Sequence, residues 1–180
     1  MSWRRAAVAA SVVGSLSACA VAPPATPTGS DNGPLSGRMS VRIDATEAAP
    51  ARSISAAFEL TGNAQQGRLD LNTPLGSTLA QARWRPGGVT VSTLQGESTY
   101  VDLPDMTRAL FGEDLPVVAL FDWLRGRPWP GAPSKAYESP SASFSQLGWD
   151  VELAEFSQRW VNARRAQTPA VTVRVKLDLP

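Results

Sequence analysis

Apolar and polar residues alternate along most of the chain after residue 37. In GRMSVRID, residues 37–44, and in SISAAFELTG, residues 53–62, every second residue is apolar or small. Each segment predicts a strand with one apolar and one solvated face. The alternation returns at Leu69 and Leu71 and in residues 79–84, 89–93, 143–153 and 171–179. Short connections that contain glycine or proline separate these segments, which predicts an antiparallel meander curled around one apolar face.

Two segments in the middle of the chain have helical spacing instead. PDMTRALFG, residues 104–112, starts with Pro104-Asp105 and ends at a glycine, and its apolar stripe consists of Met106, Ala109 and Leu110. PVVALFDWLRGRP, residues 116–128, has a stripe formed by Val117, Leu120, Phe121 and Leu124. Both patterns predict short amphipathic helices that cover the open face of the sheet. Residues 129–143, rich in proline, glycine, serine and alanine, predict a long irregular loop.

The first nineteen residues have the pattern of a lipoprotein signal. Arg4 and Arg5 precede an uncharged apolar run, residues 6–16, which is too short to span a bilayer. Leu16-Ser17-Ala18-Cys19 then resembles a bacterial lipobox, which implies a signal peptide over residues 1–18 and an acylated Cys19. The alternative is an ordinary secretory signal with an unused thiol. Residues 19–34, poor in charge and rich in alanine and proline, predict a flexible tether.

The residue after the cysteine bears on the location of the protein. Bacterial lipoproteins that stay in the inner membrane commonly carry aspartate there, whereas this chain has Ala20. The resemblance to such lipoproteins therefore implies the periplasmic face of the outer membrane, with anchoring through Cys19. Because Cys19 is the single cysteine, no disulfide forms within the chain.

Composition removes several classes of protein. The chain of 180 residues contains no histidine, so the Ser-His-Asp triad, the Cys-His dyad and most zinc sites are absent. No phosphate- or dinucleotide-binding glycine motif occurs, and the formal charge of +1 comes without a basic run that would indicate nucleic acid. Glu113-Asp114 is the one adjacent acidic pair, and scattered carboxylates are more often solvated than catalytic. We predict no catalytic residue, metal or cofactor.

Three stretches carry a resemblance to a known family. LSGRMSVR opens the first strand, LNTPLGSTLAQARW spans a hairpin, and LPVVALFDWLRGRP surrounds the second helix. Together they resemble the LolB family of outer-membrane lipoprotein receptors over about residues 35–179. The family often has Thr-Asn before the hairpin proline where this chain has Asn72-Thr73, a swap that leaves the turn intact.

The resemblance implies an α+β fold over residues 35–180 that is mainly β: a curved antiparallel sheet forming an unclosed β-barrel, with a helical lid over a hydrophobic cavity. It implies a monomer that accepts acylated lipoproteins from a LolA-type periplasmic carrier and inserts them into the inner leaflet of the outer membrane. The alternative is a lipoprotein that binds lipid passively, without insertion.

The hairpin contains an unusual residue. Thr73-Pro74-Leu75-Gly76 predicts a tight turn, because proline fixes φ and glycine tolerates positive φ. Its tip nevertheless carries a leucine. The resemblance implies that Pro74, Leu75 and Gly76 form a membrane-inserting loop with Leu75 as the protruding residue. The alternative is a leucine that folds back onto the rim of the barrel.

Strand parity and helix spacing nominate residues for the cavity wall, although apolar stripes are usually plain core. The candidates are Met39, Val41, Phe58, Leu60, Leu69, Leu71, Trp84, Leu120, Phe121, Trp123 and Leu124.

Overall fold

A single antiparallel sheet dominates the computed structural model, which describes residues 33–138 and 142–179. Within these residues the sheet has eleven strands in the order β6-β5-β4-β3-β2-β1-β11-β10-β9-β8-β7. The strands are β1 Leu35–Ile43, β2 Arg52–Gly62, β3 Gly67–Asn72, β4 Thr78–Arg85, β5 Gly88–Thr93, β6 Gly96–Tyr100, β7 Ser134–Ala136, β8 Phe144–Gln146, β9 Trp149–Glu152, β10 Trp160–Arg165 and β11 Val171–Leu177. Because β6 and β7 stand at the two edges, the curved sheet is an unclosed barrel, and the predicted fold class is confirmed.

The register places the apolar positions of neighbouring strands side by side. Val41 of β1 pairs with Ile54 on one side and with Val173 on the other. Met39 pairs in the same way with Ala56 and Val175. Since side chains alternate between the two faces of a strand, this register collects one apolar face on the concave side of the sheet.

Two α-helices of the described residues cover that face. Helix α1, Leu103–Phe111, is capped by Asp102, whose carboxylate accepts a hydrogen bond of 2.7 Å from the Asp105 amide. The helix stops at Gly112, which has φ 77° and donates its N–H to the Arg108 carbonyl. Helix α2, Val117–Trp123, follows after a short connection. No helix in the described ranges is both long and apolar enough to cross a bilayer.

The predicted helices exist, but their boundaries and inner faces differ from the prediction. Helix α1 starts before Pro104, because the preceding Asp102 supplies the cap. Its buried residues are Leu103, Met106 and Thr107, whereas Ala109 and Leu110 are exposed. The predicted stripe is therefore rotated toward the start of the helix.

Three strands are missing from the sequence prediction. Strand β6, GESTY, is almost entirely exposed, and β7 has three exposed residues inside the segment predicted as an irregular loop. Both lie at sheet edges, where no second apolar face has to be buried, so the alternation is weak. Strand β10 buries only Val161 and Ala163 in a short segment whose other residues, apart from Trp160, are polar. The predicted signal peptide, Cys19 and residues 19–32 of the tether lie outside the described residues.

Candidate functional site

A cavity of about 80 Å³ lies between the concave face of the sheet and the two helices. The residues in its wall are apolar with one exception. The strands contribute Met39, Val41, Phe58, Leu60, Leu69, Leu71, Ala80, Ala82, Val91, Trp149, Ala163, Val173 and Val175. The helices and their connection contribute Met106, Thr107, Leu110, Phe111, Leu115, Pro116, Val117, Leu120, Trp123 and Leu124.

Nine of the eleven predicted wall residues border this cavity. They are Met39, Val41, Phe58, Leu60, Leu69, Leu71, Leu120, Trp123 and Leu124. The six strand residues among them follow the alternation set by their buried neighbours, whereas Leu120, Trp123 and Leu124 belong to α2 and its C-terminal end.

The other two candidates, Trp84 and Phe121, do not border this cavity. Both are 5% exposed, and their rings meet edge to face with centroids 5.8 Å apart. The Trp84 indole also donates a hydrogen bond of 2.9 Å to the Asn63 carbonyl. The pair therefore fills the contact between β4 and α2 and leaves no space between the two rings.

Several wall residues were missed by the sequence analysis. Ala80 and Ala82 share the face of Trp84, and Val173 and Val175 alternate in β11, so strand parity could have found these four. Leu115 and Pro116 lie in the connection between the helices, where no periodicity identifies an inner face. Their role depends on how the connection crosses the sheet.

The wall contains no acid, base or metal ligand among its described residues. Thr107 is fully buried, but its hydroxyl donates to the Pro104 carbonyl and accepts from the Leu115 amide, each at 3.1 Å. The groups with shifted pKa lie outside the wall: burial raises the pKa of Asp122, for example, although the charge of Arg125 opposes that shift. No cluster of three potential metal ligands occurs in the described part of the chain. The cavity can hold hydrocarbon and offers nothing to a polar ligand.

Part of the cavity wall is exposed beside the last turn of α1. Leu110 belongs to the wall and is also 41% exposed. Leu71 and Ala80, the last inward rung of β3 and β4, are half-buried members of the same wall. We call this side of the sheet, where β3 ends and β2 begins, the hairpin end.

Leu75 stands at the tip of the hairpin that rises from this end. The Gly76 amide donates to the Thr73 carbonyl at 2.9 Å, which closes the predicted turn, and Gly76 has φ 87°. The Thr73 hydroxyl accepts a further bond of 3.1 Å from the Ser77 amide. Leu75 is 95% exposed, so the structure does not show the alternative in which it folds back onto the rim.

Two basic side chains fasten the helical connection to the sheet. Arg52, at the start of β2, donates a hydrogen bond of 2.6 Å to the Phe111 carbonyl at the end of α1. Arg165 of β10 forms an ion pair with Glu113, and both side chains are largely buried. Glu113 therefore links the connection between the helices to β10 through Arg165.

A helix-covered, unclosed barrel with a dry apolar cavity defines a protein of the hydrophobic-ligand carrier class. The comparisons with known proteins specify the class further. The family model for the outer membrane lipoprotein LolB matches residues 34–179. The chain therefore belongs to the LolB family. Membership confirms the predicted outer-membrane lipoprotein receptor in lipoprotein localisation, and it does not favour the passive binder.

Individual relatives agree with the family assignment. The outer-membrane lipoprotein LolB of Bordetella petrii is 33% identical over 164 residues, covering 87% of this chain and 82% of that protein. LolB of Bordetella parapertussis is 27% identical over an alignment of 188 residues, covering 99% and 94%. LolB of Cupriavidus pinatubonensis is 30% identical over 160 residues, covering 86% and 77%.

Proposed function

We propose that the protein takes the acyl chains of lipoproteins from a LolA-type periplasmic carrier into its apolar cavity. It then delivers them to the inner leaflet of the outer membrane, and Leu75 is the residue that enters the lipid. The observation that carries this proposal is the position of the exposed Leu75 at the end of the sheet where the cavity-wall residue Leu110 is also exposed.

Hydrocarbon transfer supplies the driving force without a nucleotide. Each methylene removed from water contributes about 0.8 kcal/mol, so an acyl chain of about fifteen carbons represents on the order of 10 kcal/mol. A dry apolar wall offsets most of the cost of holding such a chain in the periplasm. Transfer runs downhill when carrier, receptor and membrane bind the chain with rising affinity. The wall needs no catalytic group for this step, and we propose that the protein acts as a non-enzymatic monomer.

The cavity must enlarge to accept cargo. Its volume is about 80 Å³, whereas an engineered protein cavity of about 150 Å³ holds a single benzene. We propose that α1 moves away from the sheet when an acyl chain enters, since Met106, Leu110 and Phe111 face the cavity from this helix. The flexible side chains of Met39 and Met106 can then adapt to the cargo.

We further propose that residues 1–18 are removed as a signal peptide and that Cys19 is acylated, so that residues 19–34 tether the domain of residues 35–180 to the membrane. The lipobox and the family of outer-membrane lipoproteins support this proposal. Mass spectrometry of the membrane-extracted protein should show an acyl-modified N-terminal cysteine. A longer chain with an unmodified thiol would refute it.

Leu75→Glu tests the membrane step. The substitution should leave folding nearly unchanged, because the side chain is almost fully exposed. Uptake of lipoprotein from the carrier should survive, since the cavity wall is intact. Delivery into liposomes should fail, because leucine gains about 1.5–3 kcal/mol on burial in an apolar phase, whereas a carboxylate meets a desolvation cost there.

Two controls define the result. Leu75→Ile keeps an apolar tip and should deliver cargo normally. Val101→Glu changes an aliphatic side chain that is 80% exposed at the other end of the sheet, and it should have no effect. If Leu75→Glu delivers cargo at the wild-type rate, the hairpin is only a turn. If the substitution melts the domain, the leucine is packed and the proposed role is wrong.

A further inference from the structure

A second hairpin at the hairpin end also carries a leucine at its tip. Strands β5 and β6 are joined by the two residues Leu94 and Gln95, with Thr93 paired to Gly96. Leu94 is 91% exposed, close to the 95% of Leu75. Gly, Pro, Asn, Asp and Ser are the usual residues of such turns, so two almost fully exposed leucines at the tips of neighbouring hairpins are unusual.

The two tips are built alike. Each has a threonine at its base and a glycine with positive φ after the leucine, Gly76 at 87° and Gly96 at 132°. The Thr93 hydroxyl accepts a bond of 3.2 Å from the Gln95 amide and donates one of 3.3 Å to the Gly96 carbonyl. Thr73 braces the first tip through the Ser77 amide. The backbone therefore holds both leucines outward, and neither exposure depends on a flexible loop.

Strand order brings the two tips close together. Because β4 pairs with β5, the β5–β6 hairpin lies directly beside the β3–β4 hairpin. Two strand spacings of about 4.8 Å separate their midlines, which puts the tips roughly 10 Å apart across the sheet.

The two tips differ in height. Thr93 lies level with Ala80 and Leu71, and its turn follows at once. The other hairpin continues through Asn72 and Thr73 before it turns. Leu75 thus projects about 7 Å further, two residues at about 3.3 Å each. This height is comparable to the roughly 5–10 Å that apolar faces of interfacial helices penetrate.

We propose that Leu94 is a second membrane-contact residue, which reaches the lipid surface once Leu75 has entered. This second contact sets the tilt of the β5–β6 edge of the sheet relative to the membrane. The inference rests on the proposed function of Leu75. A lipid surface is the occupant that fits, because two separate tips form no continuous groove for a protein partner, whereas a bilayer needs no shape complementarity. Residues 71–82 and 89–96 contain no charged side chain, and Glu97, the carboxylate next in sequence to the second tip, accepts a hydrogen bond from the Ser92 hydroxyl.

Leu94→Glu should slow delivery of lipoprotein into vesicles of phosphatidylethanolamine and phosphatidylglycerol. We expect the delivery rate to decrease about three- to tenfold, less than for Leu75→Glu, because Leu94 enters the lipid less deeply than Leu75. Leu94→Phe should restore the rate, and uptake from the carrier should stay unchanged in both variants. Val101→Glu is the control for an added carboxylate at another highly exposed aliphatic position.

A second measurement does not depend on the tolerance of the turn for glutamate. Leu94→Cys in the mature chain with Cys19→Ala gives one attachment site for an environment-sensitive fluorophore. Its emission should shift to the blue when these vesicles are added, and Leu75→Glu in the same chain should abolish the shift.

The outcomes separate the two proposals. Normal delivery by Leu94→Glu together with an unshifted fluorophore, while Leu75→Glu fails to deliver, overturns the role of Leu94 alone. Normal delivery by both glutamate variants overturns the proposed function of the hairpin end. A shifted fluorophore with slowed delivery supports both roles.

Discussion

Both helices border the cavity, but they are held to the sheet differently: a buried aromatic cluster fixes α2, whereas a hydrogen bond from Arg52 of the sheet holds the last turn of α1. Trp123, at the end of α2, is completely buried. The centroid of its ring lies 6.4 Å from that of Phe144 and 6.2 Å from that of Trp149. Its indole donates a 2.7 Å hydrogen bond to Gln146, whose amide in turn donates to the carbonyls of Trp129 and Ala132.

Helix α1 has no comparable anchor in the described structure. Its buried residues cluster in the first half, and the second half from Arg108 to Leu110 is exposed. The Arg52 bond to the Phe111 carbonyl holds the final turn. Segments with few buried contacts open at lower free energy than packed ones. From this difference in burial and contacts we expect α1 to open at a lower free energy than α2.

The largest effect should come from removing the α2 anchor. Trp123→Ala should lower the free energy of unfolding by about 3–5 kcal/mol, as large-to-small changes in tight cores do. Leu110→Ala, at the exposed end of α1, should cost less than about 1 kcal/mol. Denaturant unfolding of the two variants gives the comparison directly. Equal losses would show that α1 is packed as firmly as α2.

The milder substitution Trp123→Phe separates ring packing from the hydrogen bond. It retains an aromatic ring beside Phe144 but removes the indole donor to Gln146. We expect a loss of about 1–3 kcal/mol, because a buried polar group then lacks one of its partners.

A charge in the cavity wall should affect binding more than folding. Leu71→Glu places a carboxylate at a half-buried position of the cavity wall, at the hairpin end. Affinity for a fluorescent fatty-acyl probe should fall at least about tenfold, since an unpaired charge against hydrocarbon is costly. Ser55→Glu on the exposed face of β2 is the control and should bind normally. Unchanged affinity in a folded Leu71→Glu variant would place the acyl chain elsewhere.

The alternation of the strands predicts which residues face inward, but it does not predict which of them border the cavity. Alternation identifies a strand face because burial on one side selects apolar residues there, so Met39, Phe58 and Leu71 were assigned to the inner face from parity alone. Parity does not tell which inward side chains leave space between them. Trp84 and Phe121 satisfy the pattern, yet their rings close on each other.

The hydrogen bonds that hold the two helices to the sheet could not be predicted from the sequence for another reason. Gln146 accepts its hydrogen bond from the Trp123 indole, 23 residues away in the sequence. Arg52 donates to the Phe111 carbonyl, 59 residues away. Such contacts depend on how distant elements meet, and local patterns carry no signal for them. A polar residue on the buried face of a strand, Gln146 two positions after Phe144 in β8, was the one available indication.

The smallest expected effect concerns the bond at the end of α1. Arg52→Ala removes a charged donor from the C-terminal carbonyl of the helix, where a cation is favourable. Because Arg52 is exposed, we expect a loss of only about 0.5–1 kcal/mol in unfolding free energy. The α1 amides should exchange hydrogen several-fold faster, and the acyl probe should bind faster with little change in affinity. Arg42→Ala, which removes an exposed arginine paired with Asp44, should change neither rate. If Arg52→Ala leaves exchange in α1 and the binding rate unaltered, the final turn is held by packing, and the contrast between the two helices is weaker than their contacts indicate.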